Sequence, residues 1–282
     1  MSEEIPRVPP VVGAEPGAEP EKLRLGGMAL GNGLLVHGPT HWAAAIRAKD
    51  GELAVASRPK PKLGGEATER IPGLRGVTKL GEALVVIPLV KRALPQAQLP
   101  MQNLRTLGAM GATAAAGHAI RRRGRGTVGG EAAVALLSMA PALLTLRSGD
   151  VAAYHGVEHK SIAAYEQGAE AADADKEHDR CGSNLVAPML TAAVLGNVAA
   201  RKAGLRGPAA EATVGLGSIA FAVEVFAWSE RHEGSPLSEV LRLPGRELQR
   251  AVGTREPTAE QLEVGEAALA EILRVEEVAA GE

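Results

Sequence analysis

Between Tyr154 and Gly182 the chain reads YHGVEHKSIAAYEQG…KEHDRCG and carries His155, Glu158, His159, His178 and Cys181. Three of the seven histidines and the only cysteine fall within these few turns of chain. Residues 153–166 lack proline and place Val157 and Ile162 at helical spacing, so a helix is expected there. On a helix His155 and His159, four apart, point the same way and can offer two nitrogens to one metal. The string H-x-x-E-H has the inverted zincin order, with Glu158 next to the second histidine. Two imidazoles do not complete a zinc site, which takes three or four protein ligands. His178 and Cys181, spaced H-x-x-C, are the candidates to complete it. With one position open to water the ion could do chemistry, with Glu158 as the base; with all four closed it would be structural. Arg180 could stabilise a thiolate or hold an anionic substrate, and Lys160 is a further candidate for the same surroundings. The plainer account is a solvated helix face on which the motif arises by chance. The clustering with the sole cysteine weighs against it.

Other candidates carry less. His37 and His41 are four apart, but Gly38-Pro39 forbids a helix between them. His118 and His232 stand alone. Glu211 and Glu224 border apolar segments and would matter if they lay within a membrane. The basic run RRRGRG at 121–126 has no aromatic neighbour, so a helix-end anchor is a better account than nucleic-acid binding. No phosphate-cradling loop or dinucleotide fingerprint is present.

The elements that must position this cluster can be read in outline. Residues 1–25 are Pro- and Glu-rich and read as a disordered tail. Residues 26–70 read as a small β-rich unit and linker. Trp42, Ala44 and Ile46 alternate, Asp50-Gly51 turns the chain, and Leu53 and Val55 alternate on the return. A helix from about Gly73 follows, with Leu74, Val77, Leu80 and Leu84 near one face, and Pro88 should kink or end it. Residues 71–232 then form a helical core of about four short helices: Thr106–Ile120, Ala132–Leu146, Ser183–Ala200 and Thr213–Ser229 carry almost no charge. The 147–182 stretch interrupts them as the metal-site loop. Each segment is at or below the roughly 20 residues of a full crossing, so membrane insertion is weighed against a soluble bundle. In residues 233–282, an amphipathic run is broken at Pro244-Gly245. A second helix starts at a capping box of Thr258 and Gln261, with Leu262, Leu269 and Leu273 on one face.

Composition bounds the rest. The net charge of −2 gives no bulk attraction to nucleic acid or anionic lipid. Aromatics make up 2%, and the apolar content is mostly Ala, Leu and Val with many glycines, which suits closely packed helices. One cysteine excludes an internal disulfide. No signal peptide is visible, so a cytoplasmic N-terminus is expected. Loop charges conflict with that: Arg121–Arg123 with Arg125, and Arg201, Lys202 and Arg206, would place both basic loops inside and 147–182 outside.

The chain resembles the YqhQ-like family, a domain of unknown function described as bacterial integral membrane proteins and predicted metal-dependent enzymes. Tyr154-His155-Gly156, Glu158-His159-Lys160, His178, Arg180 and Cys181-Gly182 carry the first part of the match. The second part is Leu243-Pro244-Gly245, Leu248-Gln249, Thr254 to Pro257 and Gln261 to Val264. A weaker part is Gly26-Gly27, Gly33, Gly38-Pro39 and Leu74-Arg75-Gly76. The resemblance implies a membrane region, a metal, and a histidine-rich loop on the cytoplasmic side. Met28, Asn32 and His37 stand where the family has glutamine, glutamate and arginine; a catalytic role carried by that glutamate would be missing here.

The expectation is therefore a mainly α, membrane-associated, metal-dependent enzyme of hydrolytic type, with a divalent metal, zinc first. His155, His159, Cys181 and His178 are its ligands and Glu158 its base. The expected partners are membrane lipid and an unidentified small-molecule or peptide substrate, with self-association open and nucleic acid excluded. The alternatives are a membrane scaffold with a structural ion and a soluble helical binding protein.

Overall fold

The structure, a computed structural model, describes residues 22–65, 68, 71, 74–100, 102–123, 127–147 and 149–281. The expected tail lies outside these up to residue 21, as do Arg125 and the side chains of Leu74 and Val77. Strands β1 (Gly26–Ala29), β2 (Gly33–His37), β3 (His41–Arg47) and β4 (Leu53–Pro59) form an antiparallel sheet in sequence order. Trp42 lies opposite Arg58 and Ile46 opposite Ala54. Between them Gly51 takes φ 89°, a left-handed conformation glycine adopts without penalty.

The sheet is covered on both sides, which is why β2 and β3 are buried along their middles instead of alternating. Leu35, Trp42, Ala44 and Ile46 pack against helix α1 (Leu74–Ala93) through Val86 and Val90. Leu34, Val36, Ala43 and Ala45 pack against helices α5 (Val151–Gln167) and α9 (Ala259–Ala280). Pro88 does not end α1, which runs on to Ala93. It removes one helical hydrogen bond, while Val86 and Val90 on either side are fully buried against the sheet.

Helices α2 (Leu104–Arg123), α3 (Val128–Leu137), α4 (Ala140–Arg147), α6 (Val186–Lys202) and α7 (Pro208–Arg231) build the helical core. The uncharged segment read as one helix is two, α3 and α4, parted at Ser138-Met139; Pro141 has no amide to continue the ladder. Among the described residues, three helical stretches are long and apolar enough to cross a membrane: Val128–Arg147, Gly182–Lys202 and Pro208–Arg231, of 20, 21 and 24 residues. At 1.5 Å per residue, 20 residues span about 30 Å, the thickness of a bilayer's hydrocarbon core. In none of the three is more than 17% of the most apolar window buried. Helix α2, one of the four segments weighed as crossings, is not among them; its Gly, Ala and Thr content makes it only weakly apolar.

Chain direction gives the bundle two distinct ends. At one end, buried Glu131 accepts from Arg121 and Arg201, each at 3.0 Å, and Arg121 also meets Glu211 at 3.0 Å. This ties together the far ends of α2, α3, α6 and α7. At the other end α4 leads directly into α5 and α6 begins beside Cys181, so the sheet and α9 lie on that side.

Helix α8 (Pro236–Leu248) runs through Pro244, where a break was expected, and ends in a π-type turn, Gln249–Gly253. The capping box of Thr258 and Gln261 opens α9 as read. The face that α9 buries is Val264, Ala268, Ile272 and Glu276; Leu262, Leu269 and Leu273 flank it. Glu276 accepts from the amides of Thr40 and His41 and from the Thr40 hydroxyl, at 2.7–2.8 Å, fixing α9 to the β2–β3 turn.

Candidate metal centre

Helix α5 is buried on nearly every side, including His159 and Lys160. Buried polar side chains need partners, and those of α5 find them mostly on backbone from distant parts of the chain. His155 Nδ1 lies 2.8 Å from the Gly253 carbonyl, and His159 Nδ1 lies 2.6 Å from that of Lys176. Each Nδ1 therefore carries the proton and donates it, which leaves Nε2 as a bare lone pair. Second-sphere carbonyls hold metal-ligating imidazoles in this way.

The lone pairs converge. The Nε2 of His155 is 3.3 Å from Cys181 Sγ. A zinc bound tetrahedrally by a thiolate and an imidazole would hold S and N about 3.6 Å apart, from the usual bond lengths. Ligand atoms of His155, His159 and Cys181 all lie within 4.8 Å of one another. His159 Nε2 is buried with no hydrogen-bond partner among the described residues. An orphaned nitrogen of this kind, facing a second imidazole and a thiol, fits a cation. The amide of Ser183 donates to Cys181 Sγ at 3.4 Å, the kind of bond that supports a thiolate.

Charge follows burial. Burial first, then the neighbouring His155, lowers His159 to about 3, so its imidazole stays neutral at physiological pH and ready to bind a metal. Burial pushes the Cys181 thiol up, with the Ser183 amide pulling the other way; a metal would reverse that balance by binding the thiolate. Burial raises the Glu158 carboxyl to about 7, against the opposing pull of His155 and the Ala29 amide.

The other expected residues have different places. His178 does not join the three: its Nε2 is 3.2 Å from Glu166 and its Nδ1 accepts from the Arg180 amide at 3.2 Å. Arg180 itself pairs with Glu166. Lys160 faces away from the cluster, donating to the carbonyls of Ala172 and Ala174 and pairing with Glu256 at 2.8 Å, so it clips the 171–174 turn to α5. Asn32 is a structural tie, bonding the Arg47 and Gln96 carbonyls and the Gln98 amide.

Gln249 had no assigned role, although its neighbourhood was part of the resemblance. It is fully buried. Its side chain accepts from the His178 amide at 2.9 Å and donates to the His178 carbonyl at 3.2 Å and to Ser183 Oγ at 2.8 Å. It thus holds both flanks of Cys181. The wide turn that begins at Gln249 delivers the Gly253 carbonyl to His155, and π-type turns recur at functional sites. Its one sequence signal was polar Gln249 after an apolar helix face.

The three stretches that carried the resemblance meet on α5. A side chain on Gly156 would strike the Arg255 carbonyl at 2.4 Å, and one on Gly27 would strike Glu158 at 2.6–2.9 Å. Glycine at both positions lets the segment around Arg255–Pro257 and strand β1 close over the helix. No curated protein and no solved structure matches the chain. Residues 134–275, half of the chain and all of the His155–Cys181 cluster, match the family described as protein of unknown function (DUF1385). This agrees with the YqhQ-like resemblance. The chain belongs to the DUF1385 family.

Proposed function

We propose that this protein is a membrane-embedded, zinc-dependent enzyme of hydrolytic type. The observation that carries the reading is the buried, unpartnered His159 Nε2 turned toward His155 Nε2 and Cys181 Sγ. These three groups would hold the ion, and zinc there would polarise a carbonyl or phosphoryl oxygen and acidify a water. Three protein ligands leave a fourth position, and His155 borders a cavity of about 310 Å³ that gives a substrate room. Glu158, with its carboxyl near 7, can take and return a proton at neutral pH. Gly27 leaves it space and the Ala29 amide orients it. Gln249 and the carbonyls of Lys176 and Gly253 keep the ligands in place.

The bare apolar faces of the three long helices support the membrane assignment. The metal-site side is assigned to the cytoplasm, on the family resemblance and on the free thiol, which a reducing compartment preserves. A C-terminal green fluorescent protein that glows, with an alkaline phosphatase fusion that stays inactive, is expected. The reverse pattern defeats this orientation.

Metal analysis of the purified protein tests the centre. One zinc per chain, lost in the His155→Ala, His159→Ala double variant, is expected. A protein purified without chelator that carries no metal and binds none on titration ends the proposal. Glu158→Gln should keep the zinc and abolish the cellular phenotype. An unchanged phenotype would favour the second reading, a structural ion in a membrane scaffold.

A further inference from the structure

The cavity of about 310 Å³ beside His155 is apolar along most of its length. Leu143 and Leu146 from α4 and Met189 and Leu190 from α6 wall it, and His155 and Gln249 close its polar end. It does not stop at the site. Ser138, Ala142, Leu146, Met189 and Leu190 also line a second cavity of about 1060 Å³, which continues between α2, α3, α6 and α7 as far as Arg121 and Glu131. The two cavities therefore adjoin along these five side chains, and taken together as one channel they lead from His155 into the helical bundle. Ligand pockets commonly measure about 300–1,000 Å³, so the pair together exceeds what packing defects leave. Apolar cavities of this kind stay dry or take apolar ligands.

The chain has little of its own to fill the space. Residues 1–21 contain five prolines and five glutamates. The polar side chains along these walls, such as Thr106, Thr145, Asn197 and Ser218, spend hydrogen bonds on the helices themselves and offer little to a soluble polar substrate, and aromatic rings for stacking are nearly missing from the sequence. Of the helices around the channel, α3, α4, α6 and α7 belong to the three stretches apolar enough to sit in a bilayer, with most of their surface bare. The compound that surrounds such helices and matches such walls is a hydrocarbon chain.

We infer that the channel holds an acyl chain of a membrane lipid, with the lipid's polar end at His155 and Cys181, so that the substrate class is a lipid. The inference rests on the metal-centre reading for the chemistry, and on the channel alone for the chain.

The test uses the full chain in phospholipid nanodiscs. Two probes are needed: a phosphatidylethanolamine with a photoreactive diazirine near the end of one acyl chain, and one with the diazirine at the headgroup. The tail probe should label Ala142, Leu146, Met189 and Leu190, and the headgroup probe should label Gly182 and Ser183. Ala142→Trp and Met189→Trp fill the channel. Each should cut labelling of these tail positions at least fivefold, while labelling of outward-facing Leu195, Leu216 and Phe221 and zinc content stay unchanged. Retained zinc shows that the variants fold. Tail labelling that both tryptophans leave intact overturns the inference, and so does headgroup labelling at Arg121 and Arg201 instead of Gly182. Channel labelling in a protein that binds no zinc overturns the substrate assignment and identifies the metal reading as the part that failed.

Discussion

Gln249→Met would keep the volume of a fully buried side chain and delete its three hydrogen bonds to His178 and Ser183. Each neutral bond is worth about 1 kcal/mol net, so roughly 3 kcal/mol of order is withdrawn from the segment that presents Cys181. If the loss falls on the metal-bound state, it weakens zinc by ~100-fold, at about 1.4 kcal/mol per decade. Losses of 10–100-fold are usual when outer-sphere partners of a metal are removed. The assay is competition for zinc against a chromophoric chelator, in detergent micelles near neutral pH, with cobalt substitution to report the thiolate bond. The variant should bind ~100-fold more weakly and its sulfur-to-cobalt absorption should diminish. Gln261→Ala, which removes a cap on α9 away from the cluster, should leave zinc affinity unchanged. Zinc affinity within threefold of the unsubstituted chain in Gln249→Met would refute the claim that this side chain holds the thiol in place.

Three further outcomes are expected. Gly27→Ala puts a methyl group 2.6–2.9 Å from Glu158, so it should destabilise by about 1–3 kcal/mol in chemical denaturation, and Glu158→Ala in the same chain should relieve most of it. Burial, with Lys60 nearby, lowers His37 to about 4 from 6.5, so the unfolded chain binds a proton there that the folded chain rejects. Stability should then fall as pH drops from about 6.5 towards 4, by about 3 kcal/mol from this group, and His37→Gln should flatten that slope in a denaturation series. Glu131→Ala leaves Arg121 and Arg201 to share Glu211 and removes two charge-assisted bonds, which should cost about 2–3 kcal/mol, read as a lower midpoint for thermal unfolding in micelles.

The grouping of side chains was legible where it depended on local spacing. A four-residue interval on a helix is enough to pair His155 and His159, and a lone cysteine that returns a short distance later is a natural third member of the cluster. His178 has the same residue type and a similar position, yet Glu166 and the Arg180 amide take both of its nitrogens. No spacing rule reveals a competing partner. The groups that set the tautomers are backbone carbonyls at Lys176 and Gly253, and carbonyls carry no sequence signal. The hairpin at Asp50-Gly51 and the capping box at Thr258 were readable because turn and cap chemistry is local. Proline was a weaker guide. Pro88 and Pro244 sit inside helices held by tertiary packing, whereas Pro141 lies just after a real break. Burial of the sheet on two sides could not be read either, because it depends on helices far along the chain.

That two-sided burial sets an order of events during synthesis. Leu34, Val36, Ala43 and Ala45 leave the ribosome roughly 200 residues before Val264, Ala268 and Ile272, which cover them. At translation rates of about 5–20 residues per second, the nascent sheet waits roughly 10–40 s before α9 joins α5 on its oily side. His155 likewise emerges before Gly253, whose carbonyl fixes its ring. Closure of the His155–Cys181 cluster is thus a late step, completed only when the last quarter of the polypeptide has arrived, and a chain cut short before residue 253 is left with an unguarded thiol and a sheet prone to clumping.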